Sequence, residues 1–295
     1  MNRIIATIVV FIGFLGGQTM AVAQQDRTIE TTQLTDSIYM LTGPGGNVTA
    51  FVGEEGTLLV DDKFEQDGPA IQAALEAIGG EVPKYLVNTH FHGDHSGSNQ
   101  HFGEQGSVIV GHTHLHDHLS EGYEVRTFNM QVGPAHEHAL PELTYSEEME
   151  IHLNDEVTTL IYMPDAHTDT DTVLFFTESN LIVTGDVMFN GFFPFIDTPN
   201  GGSLAGVIEA LSVIADLADE DTIIVPGHGP VADRDDVLDT IDTLQVAYDR
   251  LSGLKQDGNS LEETIAAKPL TDIEEDWGGV MFSADRWIEV VWDSI

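Results

Sequence analysis

The chain is predicted to be an α/β protein, on three observations. Short β-rich runs alternate with helix-like stretches along 295 residues, the plan an α/β fold requires. No linker divides them. Four of the runs also stop on histidine or aspartate, which places those side chains at strand carboxyl ends, where open α/β sheets form their ligand crevices.

The first element is a leader. Met1-Asn2-Arg3 is a short positive segment, Ile4 to Leu15 is almost wholly apolar, and Ala21-Val22-Ala23 is a small-x-small cleavage pattern, so residues 1–23 read as a secretory signal peptide. Its apolar core is short for a membrane span, and no later stretch approaches the required ~20 apolar residues. A single mature domain of residues 24–295, secreted or periplasmic, is expected. The absence of cysteine fits an exported protein that does without disulfides.

Strands are expected at Ser37–Leu41, Val48–Val52, Thr57–Val60, Lys84–Asn88, Ser107–Val110, Met149–Leu153, Val157–Met163, Val173–Thr177, Leu181–Thr184 and Thr222–Val225. Asp67-Gly68-Pro69 opens a helix whose apolar stripe is Ile71, Ala74, Leu75 and Ile78, stopped by Gly79-Gly80. Ser203 caps a second, carrying Leu204, Val207, Ile208 and Leu211, and Asp233 to Gln256 is a long charged helix. A tail with Trp277, Trp287 and Trp292 is expected to pack on the body. This pattern fits a doubly wound sheet and a pair of face-to-face sheets equally well.

The densest chemistry lies in Asn88-Thr89-His90-Phe91-His92-Gly93-Asp94-His95, three imidazoles and a carboxylate within six residues. One His-x-His pair is ordinarily a surface cluster; four candidate ligands on one turn point to a metal, and neutral imidazole with carboxylate suits zinc. His167, Asp186 and His228 each follow a β-rich run, though Thr-Gly-Asp and Gly-His taken alone are common turn chemistry. Asp61, ending Thr57–Val60, is either a turn residue or a partner that orients a ligand histidine. A cysteine-free set with an open coordination position is catalytic in type. Zinc lowers the pKa of bound water to about 7, and a second ion can stabilise developing charge, so metal-assisted hydrolysis is the reaction class. Asp94 is suited both to ligate and to accept a proton.

These residues resemble the signature of the metallo-β-lactamase superfamily, His-x-His-x-Asp-His followed by a distal His, an Asp and a final His, in the family's order between about Ile38 and Pro230. The resemblance implies a four-layer αβ/βα sandwich. It implies that His90, His92 and His167 hold one zinc, that Asp94, His95 and His228 hold a second, and that Asp186 bridges them; iron or manganese suits similar ligands. The implied activity is hydrolysis of a lactone, ester, thioester or amide carbonyl in a small molecule by metal-activated hydroxide. A true β-lactamase is the alternative. Against it, Asp186 resembles the bridging aspartate of the glyoxalase II, lactonase and phosphodiesterase branches, and Met188, Phe189 and Asn190 stand where a lysine would grip a substrate carboxylate. Glyoxalase II calls for basic anchors near the C-terminus, and few are present. A periplasmic zinc-binding protein without turnover is the reading of another class.

Charge narrows the partners. Ten basic and 50 acidic residues give a net charge of −40, which repels phosphate backbones and anionic membranes. Nucleic acid and membrane partners are therefore excluded after leader cleavage, leaving a small-molecule substrate. Strong salt would screen such self-repulsion, so a halophilic extracellular setting is expected. His112, His114, His116 and His118 are either an accessory zinc-gathering surface or solvated polar residues, with Leu115 and Leu119 favouring a helix. His136, His138, His101 and His152 are read as solvated. Pro44-Gly45-Gly46-Asn47 is expected on the rim of the site. Asn190 to Ile196 either supplies an aromatic wall there or caps the core.

Overall fold

The computed structural model describes residues 27–295; the expected leader and its cleavage point lie outside them. Strands β1 (Glu30–Gln33), β2 (Ile38–Thr42), β3 (Val48–Gly53) and β4 (Gly56–Val60) form an antiparallel meander. Helix α1 (Gly68–Ala77) returns the chain so that β5 (Tyr85–Val87) runs parallel to β4. After the short α2 (Asn99–Gly103), β6 (Val108–His112) adds in parallel. Helix α3 (Thr113–Glu121) leads to a separate hairpin of β7 (Tyr123–Val125) and β8 (Met130–Val132), and β9 (Leu143–Tyr145) completes the first sheet beside β6.

The second sheet is β10 (Glu148–Leu153), β11 (Glu156–Tyr162), β12 (Thr172–Phe176), β13 (Leu181–Phe189) and β14 (Ile223–His228). Its last pair is parallel, joined through α4 (Leu204–Leu217). Helices α5 (Arg234–Gln256), α6 (Leu261–Ala267), α7 (Thr271–Trp277) and α8 (Ala284–Val291) follow.

Period-two alternation decides the layering. In β4, Leu58 and Val60 join the core between the sheets, where they meet Leu160, Leu174 and Val183 of the second sheet, while Leu59 joins Ile71 and Leu75 of α1. In the second sheet, Ile182 and Val173 face α4 and α5 across Val207, Leu211 and Leu244. The result is a sandwich of two sheets with helices outside both, as expected. Strand β13 is buried at all nine positions, the continuous apolar pattern of a strand covered on both faces.

Ser203 caps α4 by accepting from Gly206 N, and Asp233 forms a reciprocal capping box with Asp236 on α5. Asp67 stands at the N-cap of α1 without capping it, because its carboxylate receives Arg27 at 2.6 and 2.8 Å. The tail packs as expected. Trp287 is fully buried, stacks on Phe193 at 4.8 Å and donates its indole N–H to Pro194 O at 2.7 Å.

Three expectations need correction. The run Leu181–Thr184 does not end before Asp186, because β13 continues to Phe189 through register shifts around Gly185. Strands β1, β7, β8 and β9 were not expected: β1 is wholly exposed and polar, and the other three span only three residues each, too short for a periodic signal. His101 is not simply solvated, since it contacts Gln72 at 2.9 Å. Among the described residues no helix is long and apolar enough to cross a membrane.

Candidate metal centre

The two parallel strand pairs build the site. In each sheet a strand, a helix and a parallel strand deliver an aspartate and then a histidine: Asp61 and His90 follow β4 and β5, while Asp186 and His228 lie in β13 and β14. The segment after β5 is held in a turn, with His95 N and Ser96 N both donating to His92 O at 3.0 Å and Ser96 Oγ donating to Phe91 O at 2.9 Å. That turn brings His92, Asp94 and His95 to the same place as His90.

All seven expected residues converge there. His90, His92, His167 and Asp186 form one group able to hold a metal ion, and Asp94, His95 and His228 form another. Asp186 faces both. Its Oδ1 lies 3.1 Å from His95 Nε2 and 3.5 Å from His228 Nε2, and its Oδ2 lies 3.6 Å from His167 Nε2 and 3.8 Å from His90 Nε2.

The outer hydrogen bonds fix which nitrogen faces inward. His167 Nδ1 donates to Phe195 O at 2.8 Å, leaving Nε2 bare. His92 Nε2 donates to Asp197 Oδ2 at 3.0 Å, leaving Nδ1 bare. Thr89 Oγ1 spends its hydrogen on Asp61 Oδ2, so it accepts from His90 Nδ1 at 3.1 Å and leaves His90 Nε2 bare. His95 Nδ1 donates to Asp61 Oδ2 at 2.8 Å. Two lone pairs, on His92 Nδ1 and His167 Nε2, then face each other across 2.9 Å, and the buried His90 Nε2 and Asp186 Oδ1 have no hydrogen-bond partner. A cation among them resolves all of these conflicts, so the donor set fits a divalent metal. Neutral imidazoles with carboxylates suit zinc, iron or manganese.

The titration behaviour set by protein groups alone agrees. Burial holds His90 well below the ordinary imidazole value and brings His167 down to about 4. Burial also opposes charge on His95 and His228, yet the carboxylates of Asp186 and Asp94 outweigh it, lifting His95 well above its ordinary value and His228 to about 9. Burial penalises charge on Asp94 and Asp186 as well, and the neighbouring His95 and His228 overcome it and keep both carboxylates ionised. The second group thus draws positive charge to itself.

Glycines bring the backbone in close. A Cβ on Gly46 would lie 2.1 Å from His95 Cε1, and one on Gly227 would lie 2.1 Å from Asp186 Oδ1. The expected rim loop Pro44–Asn47 therefore packs against Asp94 and His95 without lining the cavity, tied down by Asn47 Nδ2 donating to Pro226 O and Gly229 O at 2.9 Å. Asp61 is both things foreseen for it: a strand-ending residue at φ 62°, and the partner of His95 and Thr89.

Asp197 and the buried Lys63, which donates to Gly46 O, were not anticipated. Nothing periodic marks either; Lys63 follows two aspartates, and Asp197 ends an aromatic run. That run divides its duties: Phe193 packs on Trp287, while Phe195 stacks on His92 at 5.6 Å and borders the cavity over the site. His114, His116 and His118 lie on α3, and His112 ends β6, buried and stacked on Tyr162 at 3.8 Å. Among the described residues none of these four belongs to a group able to hold a metal.

The fold and the paired groups define an αβ/βα sandwich with a candidate two-part metal centre between its sheets' parallel strand pairs. Residues 41–228 match the family model described as the metallo-beta-lactamase superfamily, and the chain belongs to that superfamily of metallo-hydrolases. No curated protein sequence matches it. Among solved structures, it is similar to a metallo-beta-lactamase from Pontibacter korlensis, with 15% identity and a TM-score of 0.59, over 74% of this chain and 99% of that one. A metallo-beta-lactamase with a HARLDQ motif from Cronobacter sakazakii is similar at 12% identity and a TM-score of 0.64, over 78% and 96%. BLEG-1, a B3 metallo-beta-lactamase, is similar at 18% identity and a TM-score of 0.58, over 72% and 97%. At these identities the likeness is one of fold.

Proposed function

We propose that the chain is a hydrolase using two divalent metal ions, zinc first among them, to cleave the carbonyl of a small molecule: a lactone, ester, thioester or amide. The observation that carries this reading is the set of bare inward nitrogens of His90, His92 and His167, gathered with the Asp186 carboxylate beneath a cavity. Bound divalent cations would lower the pKa of water to about 7 and polarise a carbonyl.

The remaining roles belong to the chain. His90, His92 and His167 would hold the first ion, Asp94, His95 and His228 the second, and Asp186 would span them. Asp94 borders the cavity, stays ionised, and has Oδ2 3.4 Å from His228 Nε2, the placement of a group that accepts a proton from an incoming nucleophile. Asp61, Asp197 and Phe195 O keep the imidazoles in the tautomers the metals need. The acidic composition and the apolar leader support an exported enzyme working in salt on a small molecule, away from nucleic acid and membranes.

The test is metal content together with hydrolysis of a chromogenic β-lactam, a lactone, a thioester and a phosphodiester, at low and high salt. Two metals per chain and one preferred carbonyl substrate, with turnover abolished by His92→Ala, are expected. Tight metal binding with no turnover on any of them would instead favour a binding protein.

A further inference from the structure

Over the metal groups lies a cavity of about 550 Å³ whose floor includes His92, Asp94, Asp186 and His228. One side is apolar. The β7–β8 hairpin contributes Val125, Phe128, Met130 and Val132, and Phe195 and Met281 continue the surface. Seven large apolar side chains remain exposed among the described residues. Three of them, Phe128 and Met130 at 42% and Met281 at 40%, ring this one cavity. Ring contacts run from the floor to the rim: Phe195 lies 5.6 Å from His92 and 5.4 Å from His167, and Phe128 lies 4.9 Å from Phe195. A substituent on a carbonyl held at the floor would lie along these rings.

The cavity's charge is as informative as its walls. Among the described residues no lysine or arginine lines it, while Glu65, Gln66 and Gln100 do. The cations of its surroundings are engaged elsewhere. Arg27 pairs with Asp67 at 2.6 Å, Arg126 with Glu124 at 3.5 Å, and Arg286 with Glu289 while also donating to Thr127 O at 3.1 Å. That last bond, with Asn200 Nδ2 donating to Glu124 O at 2.8 Å, pins the hairpin over the site.

We propose that this arm takes the uncharged hydrocarbon or aryl part of the substrate. The site then acts on neutral esters or lactones with an apolar tail, and rejects molecules carrying a negative charge away from the scissile carbonyl. The chemistry named here rests on the hydrolase reading above; the binding does not.

The test is calorimetric binding of the neutral series from butanamide to octanamide to the purified protein, alongside octanamide bearing a terminal carboxylate. Burying a methylene favours binding roughly three- to fourfold, so octanamide is expected to bind at least tenfold more tightly than butanamide, and its carboxylated counterpart at least tenfold more weakly than octanamide. Phe128→Ser and Met130→Ser, at half-exposed positions that leave the core intact, should each flatten the chain-length dependence. A parent affinity that does not rise with chain length would overturn the proposal, as would unchanged slopes in both variants. So would a dimer that covers this face and dissociates on Phe128→Ser. Hydrolysis of p-nitrophenyl acetate together with the β-lactam, lactone and thioester of the panel above, measured separately, distinguishes the two readings, turnover meaning cleavage of any one of them. Chain-length-dependent binding without turnover would sink the proposed function alone, and turnover without chain-length dependence would sink this inference alone.

Discussion

Replacing Asp61 and Asp197 by asparagine, one at a time, should weaken two different metal-binding steps by different amounts. Asp61 is buried and accepts three hydrogen bonds, from Thr89 N at 2.7 Å, Thr89 Oγ1 at 2.8 Å and His95 Nδ1 at 2.8 Å. An asparagine keeps one acceptor oxygen, so its NH2 must face either Thr89 or His95, donor against donor. Asp197 differs. Its Oδ2 takes both His92 Nε2, at 3.0 Å, and Asn200 Nδ2, at 2.8 Å, while its Oδ1 has no partner. An asparagine oxygen can serve there, and only the charge is lost. Outer partners of metal-ligating histidines are worth roughly 10–100-fold in affinity. Asp61→Asn is therefore expected near 100-fold, about 2.7 kcal/mol, in the step involving His95, and Asp197→Asn near tenfold in the step involving His92. Competition with a chromophoric chelator resolves the two stepwise affinities, with circular dichroism confirming the fold. Equal weakening of one and the same step by both variants, or an unaffected Asp61→Asn, would refute the assignment of partners.

Other outcomes follow from the same geometry. Gly227→Ala would place a Cβ 2.1 Å from Asp186 Oδ1 and 2.6 Å from Gly185 C; it should cost about 1–3 kcal/mol by overpacking and reduce metal occupancy, both readable from urea melts and metal analysis. Burial brings Lys63 down to about 8, against the pull of Asp67, Asp94 and Asp61. An unfolded lysine holds its proton to about 10.4, so between pH 8 and that value the unfolded chain binds more protons and this group's contribution to stability rises with pH. Lys63→Met should remove that rise, about 2 kcal/mol between pH 7.5 and 9.5, in urea titrations of the metal-free protein at those two values; an identical pH slope in both proteins would refute it. Trp287→Ala removes a fully buried ring and the bond to Pro194 O, and a loss of about 3–5 kcal/mol is expected in the same assay. With a net charge of −40, the thermal midpoint should climb as sodium chloride is added; a midpoint that falls would argue against a salt-adapted surface.

The seven convergent residues were legible because each ends or follows an apolar, β-rich run of sequence, and because the segment from His90 to His95 is too dense in ligands for an ordinary turn. Layering was legible only in part. The alternation of Leu58, Leu59 and Val60 says that β4 is covered on both faces, and it takes the resemblance or the structure to say that the far cover is a second sheet. What stayed hidden shares a physical cause. Asp197 acts on His92 across 105 positions of sequence, and the β7–β8 hairpin earns its place by roofing the cavity without any hydrophobic period of its own. Asp186 gathers with the other six, but from inside a strand and not from a loop after one: the left-handed φ of 51° at Gly185 lets β13 bulge and continue, whereas a Thr-Gly-Asp sequence ordinarily announces a turn.

The most direct test of the central claim is a titration of the metal-free protein with zinc, following bound metal and ester hydrolysis in the same samples. Two equivalents bound per chain, with hydrolysis appearing as they fill and vanishing on chelation or in His92→Ala, is the predicted result. No binding, or hydrolysis indifferent to metal, would contradict it.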